Sequence, residues 1–116
     1  INGDGENTRD YCYIEDAVQA NILAACVPGA THNGIYNVAT HTRTTLNELF
    51  TLLKHELAQQ GVEYNREPQY AGFRPGDIRH SEGDIGRAVR ELGYSPSFDV
   101  RQGIAEAMDW YRKTLR

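Results

Sequence analysis

Two arginine-centred segments carry the side chains best suited to bind an anion. They are residues 3–11 around Arg9 and residues 73–80 around Arg74. A guanidinium presents a fixed fork of N–H donors that matches paired phosphate oxygens, so two arginines converging from separate loops would clamp a diphosphate. A carboxylate beside such a clamp, as Asp77 would be, can accept hydrogen bonds from the vicinal hydroxyls of a ribose. This set is therefore one candidate binding site.

The same residues have a second interpretation, which is ordinary surface salt bridging. Arg9 follows Glu6 and precedes Asp10, and Arg74 stands three residues before Asp77. Surface ion pairs are common and contribute little free energy. Composition and spacing alone favour salt bridging over diphosphate binding, and both interpretations stay open at this point.

The common catalytic motifs are absent from the sequence. Gly3-Asp4-Gly5 lacks the third glycine of a G-x-G-x-x-G dinucleotide loop, and no tyrosine is followed four residues later by the lysine of an acid–base pair. There is no HExxH or GxSxG motif, and the spacing of the histidines places no two on one metal ion. The histidines are His32, His41, His55 and His80. We therefore expect no catalytic residue, cofactor-binding residue or metal ligand in this chain.

Composition narrows the class of protein. A chain of 116 residues, 40% hydrophobic and 24% charged, can bury one modest core. The net charge of −4 and the lack of a basic stripe argue against a nucleic-acid partner, and the apolar stretches fall far short of the roughly 18 residues of a membrane span. Because the sequence starts at Ile1 without a signal peptide, we expect a chain cut from a longer protein, located in the cytoplasm. Cys12 and Cys26 lie among apolar neighbours, which predicts buried free thiols.

Turn residues separate short periodic segments, a pattern that predicts strands alternating with helices. The predicted strands are residues 11–14, 34–39 and 63–70. The first helix is expected to be capped by Asp16 with Gln19. Its buried face would be Val18, Ile22 and Ala25.

The second helix has the clearest local signature. Thr45 and Glu48 form a capping box, and Gly61 supplies the stop. The apolar stripe between them is expected to be core. It consists of Leu46, Leu49, Leu53 and Leu57.

Two further helices are predicted near the end of the chain. Asp84 is expected to cap a short helix that ends at Gly93, and Asp99 to cap the last one. The buried faces would be Ile85, Val89 and Leu92 in the short helix, and Ile104, Met108, Tyr111 and Leu115 in the last.

Three segments together resemble a known family. Residues 9–17 (RDYCYIEDA) resemble the RDF/Y-x-[YH]-[VI]-x-D-x-A segment of extended short-chain dehydrogenase/reductases that act on nucleotide sugars. Residues 36–39 (YNVA) resemble the Y-N-V-G strand of that family, with Ala39 in place of glycine, and residues 84–96 resemble its D-x-x-[KR]-A-x-x-x-L-G-[YFW]-x-P signature. The resemblance implies an α/β fold: the C-terminal, substrate-binding part of such an enzyme, with short strands, about four helices and most of the Rossmann domain absent.

Within this family the sequence most resembles UDP-N-acetylglucosamine 4-epimerases of surface-polysaccharide biosynthesis. The resemblance implies that Arg9 and Arg74 hold the UDP pyrophosphate and that Asp77 binds the ribose, with His80 as a further candidate contact. It also implies that the parent enzyme uses NAD and a Tyr/Lys pair, both upstream. This chain alone should therefore hold no cofactor and be inactive.

The resemblance also predicts how the chain relates to its missing part. Residues 1–116 would form one nucleotide-sugar-binding region, in which residues of about 34–61 pack on the edge of the absent Rossmann sheet. That N-terminal domain would be its natural partner. Without it the strand at residues 34–39 would expose an edge, so self-association is expected, and UDP-sugar would bind weakly to one wall of its site.

Two alternatives remain from the sequence. A nucleotide-sugar dehydratase, decarboxylase or reductase of the same superfamily would differ mainly in residues near the sugar. A non-catalytic, self-associating module would use both arginines for salt bridges and would pair through the exposed strand edge.

Overall fold

Four helices and two very short strands make up the computed structural model, which describes residues 1–28 and 34–114. The helices are α1 (Ile14–Cys26), α2 (Leu46–Gln59), α3 (Gly86–Leu92) and α4 (Val100–Thr114), and the strands are β1 (Thr8–Arg9) and β2 (Thr44–Thr45). The predicted number of helices is confirmed. In this part of the chain no helix is long and apolar enough to cross a membrane. His32 and Leu115 lie outside the described residues.

Strand β1 lies between two partners. On one side it pairs antiparallel with β2, with Thr8 opposite Thr45 and Arg9 opposite Thr44. On the other side the Thr8 N–H donates to the carbonyl of Arg79 at 2.9 Å, and the N–H of residue 81 donates to the carbonyl of Thr8 at 3.2 Å. This arrangement places Arg9 directly beside the second arginine segment.

The three predicted strands are not formed. Residues 11–13 lead straight into α1, and residues 34–38 and 63–70 have no ladder partner within the described residues. A strand needs a neighbour for its backbone N–H and C=O groups, and the apolar pattern alone supplies none. Ile35 is accordingly 84% exposed. Backbone pairing occurs at the end of the third segment, where the Ala71 N–H and carbonyl bond to the backbone of Ile1 and Gly3 at 2.8 and 2.9 Å and the N-terminal amine of Ile1 donates to the Gln69 carbonyl at 2.7 Å.

Helix α1 starts without the predicted cap. Its N-cap is Tyr13, which makes no side-chain capping bond. Asp16 instead turns inward, is 1% exposed, and accepts the N–H groups of Ser97 and Phe98 at 2.7 and 3.2 Å. Gln19 exchanges two hydrogen bonds with the backbone of residue 95, both 2.9 Å long. The carboxylate therefore fastens α1 to the segment before α4.

The buried face of α1 also differs from the prediction. Because Asp16 points inward, Ala20 and Leu23 follow it onto the inner side, where α1 packs on α3. Val18 and Ile22 are 47% and 57% exposed, so the predicted face is turned to solvent. The buried core is small and centres on Ala20, Ala88, Leu92 and Tyr94.

Helix α3 matches its predicted ends within one residue. Gly93 ends it with a left-handed φ of 71°, where a side chain would be strained. The Asp84 carboxylate accepts the Gly86 N–H at 2.9 Å, although the N-cap itself is Ile85. Leu92 is buried as predicted, whereas Val89 is 45% exposed because α3 packs through Ala88 instead.

Helices α2 and α4 pack on each other. Helix α4 begins as predicted, since Asp99 and Gln102 exchange side-chain to backbone hydrogen bonds of 2.8 and 2.9 Å. The predicted burial of their apolar faces is only partly realised, because Met108 is buried while Leu53 and Tyr111 are 38% and 50% exposed. An apolar cavity of about 320 Å³ lies between these helices and residues 11–13. Of the two thiols, Cys12 is half-buried but Cys26 is exposed, so the prediction of two buried thiols is wrong for Cys26.

The capping box of α2 is confirmed. The Glu48 N–H donates to the Thr45 hydroxyl at 3.0 Å, and the Thr45 N–H donates to the Glu48 carboxylate at 2.7 Å. We expect Thr45→Ala to lower the free energy of unfolding by about 1 kcal/mol, the usual cost of losing such a cap. Thr51→Ala is the matched control, because within the described residues that hydroxyl bonds only to the Asn47 carbonyl of its own helix, at 3.0 Å. Urea unfolding followed by circular dichroism would show the difference, and equal midpoints for the two variants would contradict it.

Candidate functional site

The two arginine-centred segments meet through a direct ion pair. The Arg9 Nη2 atom lies 2.5 Å from Asp77 Oδ1, and the two side chains are 30% and 25% exposed. The partners are 68 residues apart in sequence, and the backbone pairing of β1 with residues 79–81 brings them together. Two of the three predicted site residues are therefore in contact.

Arg9 is held by the backbone as well as by Asp77. Its Nη1 atom donates to the carbonyls of Thr8 and Ile78, each at 2.7 Å. A guanidinium has five N–H groups, and these contacts use three of them. Within the described part of the chain, the Nε–H group and one N–H of Nη2 make no hydrogen bond. The side chain is thus fixed in direction and still has two donors for a ligand.

Asp77 is likewise held but not saturated. Its Oδ1 atom accepts from Arg9, and its Oδ2 atom accepts from the Asn7 amide at 2.8 Å. An ionised carboxylate can accept about four hydrogen bonds, so roughly two positions remain. Two acceptor positions on one carboxylate suit a pair of neighbouring hydroxyl groups.

Arg74 lies on the loop that carries Asp77. Its carbonyl accepts the Asp77 N–H at 3.1 Å across a turn in which Gly76 has a φ of 77°. Its guanidinium is exposed and makes no ion pair or hydrogen bond with the residues that the structure describes. The salt bridge between Arg74 and Asp77 that the sequence allowed is therefore replaced by the one from Arg9. The charge of Arg74 stays available at the edge of the site.

His80 faces β1 across the backbone pairing. Its Nδ1 atom lies 3.0 Å from the hydroxyl of Thr8. Next to it, Arg79 pairs with both carboxylate oxygens of Asp4, at 2.8 and 2.9 Å. The hydrogen bonds from Arg79 lower the pKa of Asp4 to about 2. This second ion pair also joins the two arginine-centred segments.

Asp10 was not recognised as a site residue from the sequence, yet it joins three segments. Its carboxylate accepts the N–H and the hydroxyl of Thr40 at 2.9 and 2.7 Å, the His41 N–H at 3.0 Å and the Gly83 N–H at 3.1 Å. Burial alone would raise the pKa of Asp10, but the hydrogen bonds from Thr40 and Gly83 outweigh it and the pKa is lowered. His41 has a φ of 57°, a conformation that needs such support. The carboxylate beside Arg9 thus fixes the frame around the site.

The candidate site is an open surface. The 320 Å³ cavity between α2 and α4 is lined by none of Arg9, Arg74 and Asp77. Among residues 1–28 and 34–114, no three His, Cys, Asp or Glu side chains are grouped to hold a metal ion. The chemistry that the arrangement offers is recognition of an anion and of hydroxyl groups.

Comparisons with known proteins show which sequences and structures the chain is similar to. A sequence profile of the GDP-mannose 4,6-dehydratase family matches residues 1–107. The chain is 32% identical over 114 residues to a dTDP-glucose 4,6-dehydratase from Salmonella typhimurium, covering 96% of this chain and 31% of that protein. In the solved structures, a UDP-glucose 4-epimerase with UDP-glucose from Thermotoga maritima superposes with a TM-score of 0.85 and 38% identity, covering 100% of this chain and 35% of that one.

A second solved structure is also similar. A UDP-N-acetylglucosamine 4-epimerase from Methanobrevibacter ruminantium, in complex with UDP-N-acetylmuramic acid, superposes with a TM-score of 0.82 and 32% identity. The superposition covers 97% of this chain and 34% of that one. The chain spans about a third of the length of the relatives it matches, and the match lies in their C-terminal part.

Proposed function

This chain belongs to the GDP-mannose 4,6-dehydratase family of extended short-chain dehydrogenase/reductases, and from that premise we propose that it binds a UDP-sugar. Arg9 and Arg74 would hold the pyrophosphate, and Asp77 would bind the ribose. The observation that carries the proposal is the contact between Arg9 and Asp77, which unites two distant segments and leaves donors and acceptors unused. Its two arginines and one carboxylate give the site a net positive charge, which suits a diphosphate.

The contribution of each residue follows from its contacts. Arg9 has a fixed direction and two unused N–H groups, so it suits a bidentate contact with phosphate oxygens. Arg74 is exposed and unpaired within the described residues, so it can close on the ligand from the loop. His80 already contacts Thr8 through Nδ1, so its Nε2 atom is the one that would contact a ligand. Because the site is open, UDP should bind this chain weakly.

For the longer protein we propose an NAD-dependent UDP-hexose 4-epimerase, with UDP-N-acetylglucosamine as the sugar nucleotide and surface-polysaccharide biosynthesis in the cytoplasm as its setting. The two similar epimerases, at 38% and 32% identity, support this choice. NAD would be held by a Rossmann domain outside this chain, and it would accept a hydride from the sugar and return it. The sequence has neither the dinucleotide loop nor the Tyr/Lys pair, so the chain alone should not catalyse the reaction.

A dehydratase is the second candidate function. It is favoured by the family profile and by the 32% identity to a dTDP-glucose 4,6-dehydratase. The two candidates differ in the nucleotide, because the deoxyribose of dTDP has no 2′-hydroxyl. A carboxylate with two open acceptor positions gains one hydrogen bond fewer from deoxyribose. Preference for UDP over dTDP would favour the epimerase.

The proposal is tested by titrating UDP and dTDP into the ¹⁵N-labelled chain. We expect UDP to shift the resonances of Arg9, Arg74 and Asp77 with a Kd on the order of millimolar, corresponding to about −4 kcal/mol. The double variant Arg9→Ala with Arg74→Ala should show no such shifts. Arg66→Ala with Arg90→Ala, which removes the same charge from exposed positions, is the matched control and should bind like the wild type.

Two outcomes of this titration would count against the proposal. UDP shifts that persist in the Arg9 and Arg74 double variant would show that the site lies elsewhere. The self-associating module would be favoured if the folded wild-type chain does not bind UDP and if both the wild type and the Arg9 and Arg74 double variant sediment as dimers. Residues 34–38 have no strand partner within the described residues, so dimerisation would use this unpaired segment together with exposed apolar side chains such as Ile22 and Ile35.

A further inference from the structure

Asn7 is a buried polar residue at the centre of the candidate site. It is 3% exposed, whereas the side chains of Arg9 and Asp77 are 30% and 25% exposed. Its backbone carbonyl accepts the N–H of Leu46, so the residue is also fixed to the first turn of α2, at 3.2 Å. A buried amide of this kind needs partners for both of its ends.

The two ends of the Asn7 amide meet partners of opposite character. Oδ1 accepts from Arg79 Nη1 at 3.0 Å, and Nδ2 donates to Asp77 Oδ2 at 2.8 Å. A guanidinium can only donate and a carboxylate can only accept, so the amide fits in one orientation. An aspartate could serve only Arg79, and a leucine could serve neither partner. Position 7 therefore requires a short amide.

Arg79 is anchored in turn by Asp4, through two parallel hydrogen bonds. An unbroken line of contacts then runs from Asp4 through Arg79, Asn7 and Asp77 to Arg9. In this line each acceptor faces a donor, and only the last two members are proposed to touch ligand. The first three fix where the Asp77 carboxylate lies before any ligand arrives.

We infer that Asn7 is a positioning residue, which holds the Asp77 carboxylate against Arg9 and so keeps both side chains ready for the nucleotide. This inference rests on the proposed function. A site whose groups are already oriented loses less conformational freedom on binding, and therefore binds more tightly. Asn7 itself would not contact the ligand.

Two substitutions separate the roles of the two amide ends. Asn7→Asp keeps the acceptor for Arg79 but replaces the donor to Asp77 by a second carboxylate. Asn7→Leu removes both ends while keeping the branched shape of the side chain. We expect either change to weaken UDP binding about tenfold, which corresponds to ~1.4 kcal/mol. Asn65→Asp, at an exposed position, makes the same charge change as Asn7→Asp and should leave UDP binding within about twofold of the wild type.

A double-mutant cycle tests whether Asn7 acts through Asp77. Asn7→Leu is compared with the wild type, and again in a chain that already carries Asp77→Ala. If Asn7 positions Asp77, the tenfold loss of UDP affinity shrinks to about twofold or less in the Asp77→Ala background. An equal loss in both backgrounds would overturn the inference, because it would show a general structural effect.

A measurement without ligand separates this inference from the proposed function. In the ¹⁵N spectrum of the otherwise unchanged chain, Asp77→Ala should shift one Nδ2 proton of Asn7 and speed its exchange with water. No change would overturn the inference, since the contact would then not exist in solution. If the Asn7 Nδ2 proton changes clearly but the chain does not bind UDP, the result would contradict the proposed function and support the positioning of Asp77 by Asn7.

Discussion

The Arg9→Lys variant is expected to bind UDP about 30-fold more weakly than the wild type, or ~2 kcal/mol, although its charge is unchanged. Arg9 donates to two backbone carbonyls and to Asp77, and it has two N–H groups left. A lysine ammonium has only three N–H groups on a single atom, so it cannot keep these three contacts and also bind phosphate. The loss therefore comes from the shape of the side chain.

Arg74→Lys is the matched comparison. The Arg74 guanidinium makes no hydrogen bond to the described part of the chain, so its proposed contribution is mainly its charge, and we expect a loss of about threefold or less. Isothermal titration calorimetry with UDP at low salt would measure both variants. Equal losses at the two positions would contradict the distinction between a fixed and an unpaired arginine.

The Asp10→Ala variant is expected to be about 3 kcal/mol less stable than the wild type at pH 7, because it leaves several backbone donors without their acceptor. The carboxylate accepts from Thr40, His41 and Gly83, which lie on two segments far from it in sequence. Without it the left-handed conformation of His41 also loses its support. Urea unfolding at pH 7 would measure the loss, and a difference below about 1 kcal/mol would contradict it.

This loss should depend on pH in a definite direction. The pKa of Asp10 is lowered in the folded chain, so the folded state favours the ionised carboxylate. Its stabilisation is present above the ordinary pKa of an aspartate, about 3.9, and disappears as the pH falls through the lowered value. The stability difference between wild type and Asp10→Ala should therefore shrink below about pH 4. Comparing the two chains removes the contribution of Asp4, whose pKa is about 2.

Features that depend on residues close in sequence could be predicted. The capping box of Thr45 with Glu48 and the bonds between Asp99 and Gln102 each join residues three positions apart, and Gly93 supplies its own conformation. Such signals need no knowledge of the tertiary fold. The starts of α2 and α4 and the end of α3 were therefore predictable.

Features that depend on distant partners could not be predicted. Asp16 looks like a helix cap in sequence, but its partners are 81 and 82 residues away, and the turn of α1 follows from them. The predicted strands likewise required neighbours that the described residues do not provide. The local pattern predicted the helices, whereas strand pairing and burial depend on residues that are distant in sequence.

The candidate site shows the same division. Arg9, Arg74 and Asp77 stood out by their residue types, and the resemblance added their roles. Asn7 was missed, because its amide matters only through Asp77 and Arg79, which are 70 and 72 residues away. Asp10 lies in the segment that resembles the family, but the resemblance implied no role for it, and its place directly after Arg9 was the available signal.

Ala39 and Thr40 are held in place although residues 34–38 pair with no strand in the described part of the chain. The Tyr94 hydroxyl donates to the Ala39 carbonyl at 2.9 Å, and Asp10 accepts both donors of Thr40. Ordering a residue costs roughly 1–2 kcal/mol of conformational entropy. Because hydrogen bonds already order Ala39 and Thr40, pairing with a further strand would not have to order these two residues. A slip of one residue would also exchange the two faces of the segment. If residues 34–38 paired with a neighbouring strand, the pairing would therefore start beside Ala39 and Thr40, and the fixed position of these two residues would set its register.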